Sequence, residues 1–366
     1  LAGKRSPDQF IEAGENILLG EDALVRAKRA LAKGDPDDPM LRSRLADAYL
    51  EMGREEDALR EYLWCFDEGE QHRESYHGVR LSFLLSSIER LGHRYPPARE
   101  ALVERRQAAE KRIVDGSAEY DDIAVFSSIN HVLNQQQATL DLYDRIKEHG
   151  ALDRVTLYSF ANEAFALLVD AKRYGRIVDE YDIEARVERA FEIYGAVVEG
   201  FRDFDAVLEH AKEGFDESML KEMEDLAKRP SLRNEIMRMQ EDVLRRSLAS
   251  SYQVLIGAGL LDDAAALAQR ATAELDDAET RNALARAGYL TGRPVEANLA
   301  QAREAFEMTG GEDIAIVDTF ARVLAALGRR DEAIAVAQAG LDKATTSHDR
   351  RTMAACLDYC RKPTAG

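Results

Sequence analysis

The chain has 366 residues, of which 45% are hydrophobic and 32% charged, with only 8 prolines and a formal charge of −19. That composition suits ordered helix better than a disordered chain; the negative field repels a phosphate backbone and so argues against general nucleic-acid binding, and no run approaches the ~18 apolar residues of a membrane span. Three cysteines cannot close a disulfide framework and point to a reducing compartment, so the cytoplasm is the expected location, while the start at Leu1 leaves a removed leader open.

In chain order, residues 10–33 read as one or two helices, apolar at Ile11, Ile17, Leu18, Leu24 and Leu31, with Gly20 as a break. The run Gly34-Asp35-Pro36-Asp37-Asp38-Pro39 stops that helix and starts the next, since proline is favoured in a first helical turn. Residues 39–65 are a complete helix–turn–helix unit. Leu45, Ala46 and Tyr49 share one helical face, Gly53 breaks the helix with an expected positive φ, and Ala58, Tyr62 and Cys65 share the face of the second helix. A lone unit of this kind cannot bury its apolar face, so neighbours on the same plan are expected.

Those neighbours follow. Residues 75–91 carry apolar positions at Val79, Leu81, Leu84, Leu85, Ile88 and Leu91, and residues 98–114 form a longer second helix. Residues 122–146 repeat the plan with Asn134 at the break, a residue that tolerates the left-handed conformation. Residues 154–181 are a degenerate copy. Residues 183–244 have longer helical stretches, interrupted firmly only at Pro230, and read as a long-helix insertion or irregular repeats. From residue 245 the rhythm returns: Gly259 and Ala264, Gly292 and Ala297, and Gly328 and Ala333 repeat the five-residue offset of Gly53 and Ala58. The expected organisation is a single array: a cap or atypical repeat at 1–38, repeats at 39–182, the insertion at 183–244, repeats at 245–345, and a capping helix and tail at 346–366.

With these residues in place the chain resembles the tetratricopeptide repeat (TPR) family, whose ~34-residue unit is a pair of antiparallel helices. The family's leucine and small residue fall on Leu45 and Ala46, its tyrosine on Tyr49, its turn glycine on Gly53, and its packing alanine, aromatic and small residue on Ala58, Tyr62 and Cys65. Ser251-Tyr252, Leu255, Gly259, Ala264 and Ala271 match in one later unit, and Phe320-Ala321, Leu324, Gly328, Ala333 and Gly340 in another. Between them, Gly288 stands where the tyrosine belongs, which puts the packing there in question. The family's tryptophan is absent from its position, and the lone Trp64 lies in a second helix. The resemblance implies an all-α, right-handed α-solenoid of antiparallel helix pairs, a TPR-like superhelix carrying the long-helix insertion, with a concave face that holds partner segments.

If the family's groove positions transfer, they place Asp47 on the first clear unit, Ser82 and Ser86 on the next, Ser128 and His131 on the third, and Tyr158, Asn162 and Phe165 on the fourth. Such a wall combines small hydroxyls with an amide and aromatic rings, which suits an extended peptide held by backbone hydrogen bonds and apolar contact. The lysine and asparagine clamp that some members use for a terminal carboxylate is missing, because Ser43, Asp47, Ser82 and Ser86 take those places.

Motifs for catalysis or metal are scarce. Gly257-Ala258-Gly259 follows no strand and has Asp262 in place of the third glycine of a dinucleotide loop. There is no P-loop, HExxH or GxSxG. Cys356 and Cys360 lie one helical turn apart with only His348 near, and read as buried small residues. No cofactor or metal is expected. The function expected is noncatalytic protein or peptide binding on the concave face; the alternatives are a peptide-responsive regulator, a helical enzyme or subunit with its site in 183–244, and an assembly role through self-association of the end repeats.

Overall fold

The computed structural model describes residues 23–149, 152–202 and 230–362. The helix expected around Ile11, Ile17 and Leu18 and residues 203–229 of the expected long-helix segment lie outside the described residues. Among the described residues the chain is helical without strands, and no helix is long and apolar enough to cross a membrane. It divides into two compact units, Leu1–Leu167 and Leu168–Gly366.

In the first unit α1 (Ala23–Lys33) packs on α2 (Pro39–Glu51), and α2 pairs with α3 (Glu55–Asp67). A π turn (Arg80–Leu84) leads into α4 (Leu85–Gly92), which pairs with α5 (Pro96–Asp115); α5 packs on α6 (Tyr120–Val132), and α6 pairs with α7 (Gln136–His149). The long α8 (Arg154–Asp170) contains the division between the units. The second unit continues with α9 (Tyr174–Glu180), α10 (Ile183–Arg202) and α11 (Pro230–Ala258), then α12 (Leu261–Glu274), α13 (Ala278–Leu290), α14 (Glu296–Met308), α15 (Ile314–Ala326), α16 (Arg330–Lys343) and α17 (Ser347–Arg361). Here α11, α13, α15 and α17 pack each on the next, while α12, α14 and α16 pair with the helix before them, which is the layering of a helical solenoid. The 29-residue α11 runs unbroken through position 245, so the long-helix segment and the first helix of the following pair are one element.

Local chemistry starts these helices where the sequence changes. Asp38 caps α2, its carboxylate accepting from the Met40 amide at 2.7 Å with Pro39 in the first turn. Asp277 accepts from the Thr280 amide at 2.6 Å to start α13, and Asp313 accepts from Ala315 and Ile316 at 2.8 and 3.2 Å to start α15.

Five of the pairs are closed by one recurring turn, whereas α4 passes to α5 without a left-handed residue. Gly53 has φ +68°, its amide donates to Leu50 O at 3.1 Å, and the next amide, Arg54, reaches back to Tyr49 O at 2.9 Å. That is a Schellman ending, which satisfies carbonyls the helix leaves open and turns the chain sharply. Gly259 and Gly328 repeat it with φ +83° and +80°. Asn134 repeats it at φ +57°, as the sequence suggests, and Lys172 at φ +55° in the degenerate copy, where the sequence gives no sign of it. Five residues after each turn the side chain is sealed from water: Ala58, Thr139, Ile177, Ala264 and Ala333 are all 0–1% exposed or fully buried.

Gly292 departs from the expectation. Its φ is +75°, yet Arg293 donates to the Thr291 hydroxyl instead of to the helix, and α14 begins only at Glu296. Ala297 is therefore exposed, and Asn298 occupies the buried place one residue later. Asn298 lies against Gly288, where an added Cβ would stand 2.1 Å from Asn298 Cγ, and its amide donates to the Tyr252 hydroxyl at 2.8 Å. Gly288 thus makes room for a larger partner on the second helix.

Two stability measurements follow from this. Gly53→Val forces a β-branched residue into the left-handed region and is expected to cost about 1–3 kcal/mol in urea unfolding; an unchanged midpoint would contradict the turn assignment. Gly288→Ala is expected to destabilise by about 1–3 kcal/mol through overpacking, and in a double-mutant cycle with Asn298→Ala the pair should cost less than the sum of the single changes, since the clash disappears with the amide. Strict additivity would mean the two side chains do not share one space.

Candidate functional site

The π turn is where the first unit departs most from a regular helix. Arg80, at its start, is buried: Nε donates to Phe66 O at 2.8 Å, and Nη1 donates to Glu70 Oε2 at 2.9 Å and to both oxygens of Asp121 at 2.9 and 3.0 Å. His77 Nδ1 lies 2.9 Å from Glu70 Oε1. Glu70, His77 and Asp121 each present a ligand atom within 4.8 Å of the others, but the guanidinium already supplies the positive charge that a cation would bring. The network instead pins the chain where it enters α4.

The wider turn rotates everything after it relative to a regular helix. Phe83, Ser86, Ser87 and Arg90 then line one side of a hollow of about 420 Å³, with His131 and Val132 at the end of α6 and Asn134 in its turn on the other. Phe83 is 77% exposed. The Ser86 hydroxyl donates to Ser82 O at 3.0 Å and Ser82 donates to Gly78 O, so both protons are spent within the helix and their oxygens remain as acceptors. Arg90 Nη2 donates to Ser87 Oγ at 3.0 Å, and His131 is exposed. Glu89 also lines the hollow, its carboxylate 3.0 Å from His93 Nε2, so chemically this is an aromatic surface bordered by hydroxyl, carboxylate, guanidinium, imidazole and amide groups, with Ser86 directed at a carbonyl and not at a base.

The structure therefore brings Ser86 and His131 together and leaves the other expected residues elsewhere. Asp47 is exposed on α2 and accepts the Tyr62 hydroxyl; burial first, and this hydrogen bond second, push the Tyr62 phenol up from its ordinary range. Ser128 is half-buried on α6 and does not line the hollow. Tyr158 is 51% exposed on α8 beside Val155, and Asn162 is half-buried one turn further on. Phe165 is corrected: at 2% exposure its ring is packed in the interior and cannot supply apolar contact on a wall. Phe83 is the residue that counting along the repeat passes over. Its signal is the spacing Phe83, Ser86, Ser87, Arg90, a polar face with one aromatic opposite the apolar Leu84, Leu85 and Ile88.

The cysteines behave as packing residues. Burial pushes the Cys65 thiol up to about 11, and the thiol donates to Pro39 O. Cys356 and Cys360 are fully buried, donating to Asp318 O and Ala321 O at 3.7 Å; hydrogen bonding to Cys360, together with burial, holds the Cys356 thiol well above the usual range.

The chain matches no family model and no curated protein. Among solved structures it is similar to a crystal structure of the P58(IPK) TPR domain, with 15% identity over 97% of each chain and a TM-score of 0.25. The helical-repeat reading rests on the turns and packing described above.

All three thiols should be unreactive toward a disulfide reagent such as dithionitrobenzoate in the native protein at pH 8 and react together on unfolding, because each is sealed from the reagent by burial. Reaction of any one of them at the native rate of a free thiol would remove it from the core.

Proposed function

We propose that the chain is a noncatalytic protein-binding scaffold and that an extended partner segment lies along the first unit at the Phe83 hollow. The observation that carries the reading is the exposure of Phe83, 77% open to water beside polar groups that offer both donors and acceptors. Burying a phenylalanine side chain is worth roughly 1.5–3 kcal/mol, so a partner that covers it gains affinity from a group that contributes little to the folded chain. Ser86, His131 and Asn134 would then take the partner's backbone, an arrangement in which hydrogen bonds fix register and the aromatic anchors it. Tyr158 and Asn162 extend the same reading to α8. The net charge of −19 favours a protein partner over nucleic acid.

Phe83→Ser and Tyr158→Ala with Asn162→Ala are the tests, by pull-down from native lysate followed by titration of the recovered partner. A partner held by the wild type and lost by Phe83→Ser, with an unchanged melting temperature, supports the reading. A partner held equally by Phe83→Ser removes the hollow from it. Loss of binding and of stability together on changing Asn162 would assign that residue to packing.

A further inference from the structure

The second unit carries a different surface. α9 and α10 pack on one part of α11, and α12 packs on another, leaving between them a cleft of about 520 Å³, within the range of ligand-binding pockets. Tyr174, the first residue of α9, is seated hard against α11: a Cβ on Gly257 would stand 2.1 Å from its ring, so the close approach needs glycine there. The cleft is lined by apolar side chains from both sides, Val178, Ile183, Val187, Leu255 and Leu267, and Leu260 stands 40% exposed among them.

Its polar lining is mainly acidic. Among the described residues Asp182, Glu184, Glu188 and Asp263 line the cleft, against the guanidinium of Arg270. Arg270 is already committed: it pairs with Glu188 through both terminal nitrogens, and its guanidinium lies 3.9 Å from the centre of the Phe191 ring. This strap joins α12 to α10 and neutralises one carboxylate. Asp182 uses an oxygen to cap α10, accepting from the Ala185 amide at 2.9 Å. Glu184 and Asp263, both exposed, have no ion-pair partner among the described residues.

We propose that this cleft docks a basic amphipathic peptide helix, one large apolar side chain of which enters between α10 and α12 while lysine or arginine side chains one turn away meet Glu184 and Asp263. Charge complementarity selects the occupant. An acidic or neutral polar segment would leave both carboxylates unanswered beside apolar surface, whereas a cationic helix answers them and covers Leu260 in the same act. The overall field of the chain steers the same class of partner toward it, and the attraction weakens with salt. The surface is separate from the Phe83 hollow and does not depend on it.

The test uses the full chain and a fluorescein-labelled amphipathic helix built of leucine and lysine, with two companions: serine in place of the leucines, and glutamate in place of the lysines. Anisotropy should report binding of the leucine–lysine helix, at least tenfold weaker binding of the serine version, and none of the glutamate version. Glu184→Lys with Asp263→Lys should weaken binding at least tenfold, whereas the same change of charge at two remote exposed positions, Glu307→Lys with Asp342→Lys, should alter it less than about twofold, about 0.4 kcal/mol. Hydrogen exchange should gain peptide-dependent protection at residues 178–188 and 255–270. Absence of binding, equal binding of the serine version, or equal loss in the remote pair would overturn the proposal, the last two because they would reduce it to bulk charge.

Discussion

A left-handed residue at the end of the first helix is the constraint on which five of the described helix pairs depend. A single residue of positive φ lets a helix reverse within two or three residues while its last carbonyls are satisfied, and the Schellman hydrogen bonds at Gly53, Asn134, Lys172, Gly259 and Gly328 do both at once. Because the reversal has one geometry, the next helix always begins at the same distance from it. That fixes which residue meets the first helix, and the residue five positions on is buried each time. Alanine fits at Ala58, Ala264 and Ala333; Thr139 fits because Asn130 donates to its hydroxyl at 3.1 Å, so that a polar pair replaces a methyl without leaving a buried group unanswered.

Much of this was legible in the sequence, because glycine and alanine report backbone geometry directly. Gly53, Gly259, Gly328 and Asn134 mark their turns as expected. Lys172 does not, since a long side chain in the left-handed region leaves no compositional trace, and its turn is held by the bonds to Val169 and Leu168. The Gly292 unit was legible only in part. Thr291 and Pro294 delay the second helix, so Ala297 faces solvent and the buried role passes to Asn298, whose size is accommodated by Gly288 on the preceding helix. Residues 183–244 read as a break in rhythm because their helices are long, but α11 carries both the irregular packing against α10 and the regular packing against α13.

The candidate site was less legible than the fold, for a physical reason. Counting along a repeat assumes that every turn holds the same number of residues, and the π turn at Arg80–Leu84 breaks that assumption just before the wall it should predict. Ser86 and His131 still meet, but Phe83 joins them unannounced, and Phe165 is buried. The cleft beside α10 has no repeat signature at all: it arises where α9, α10 and α12 share α11 without filling the space between them. Both surfaces combine exposed apolar side chains with polar groups of definite character, the first mixed in charge and the second mainly acidic.

The turn is tested most directly by stereochemistry. At φ +80° position 328 favours a D residue and strains an L residue. Semisynthetic chains with D-alanine or L-alanine at that position differ in nothing but handedness. The account predicts a urea midpoint at or above that of the glycine chain for D-alanine and below it for L-alanine; equal midpoints for the two would contradict a left-handed turn as the element that spaces the helix pairs.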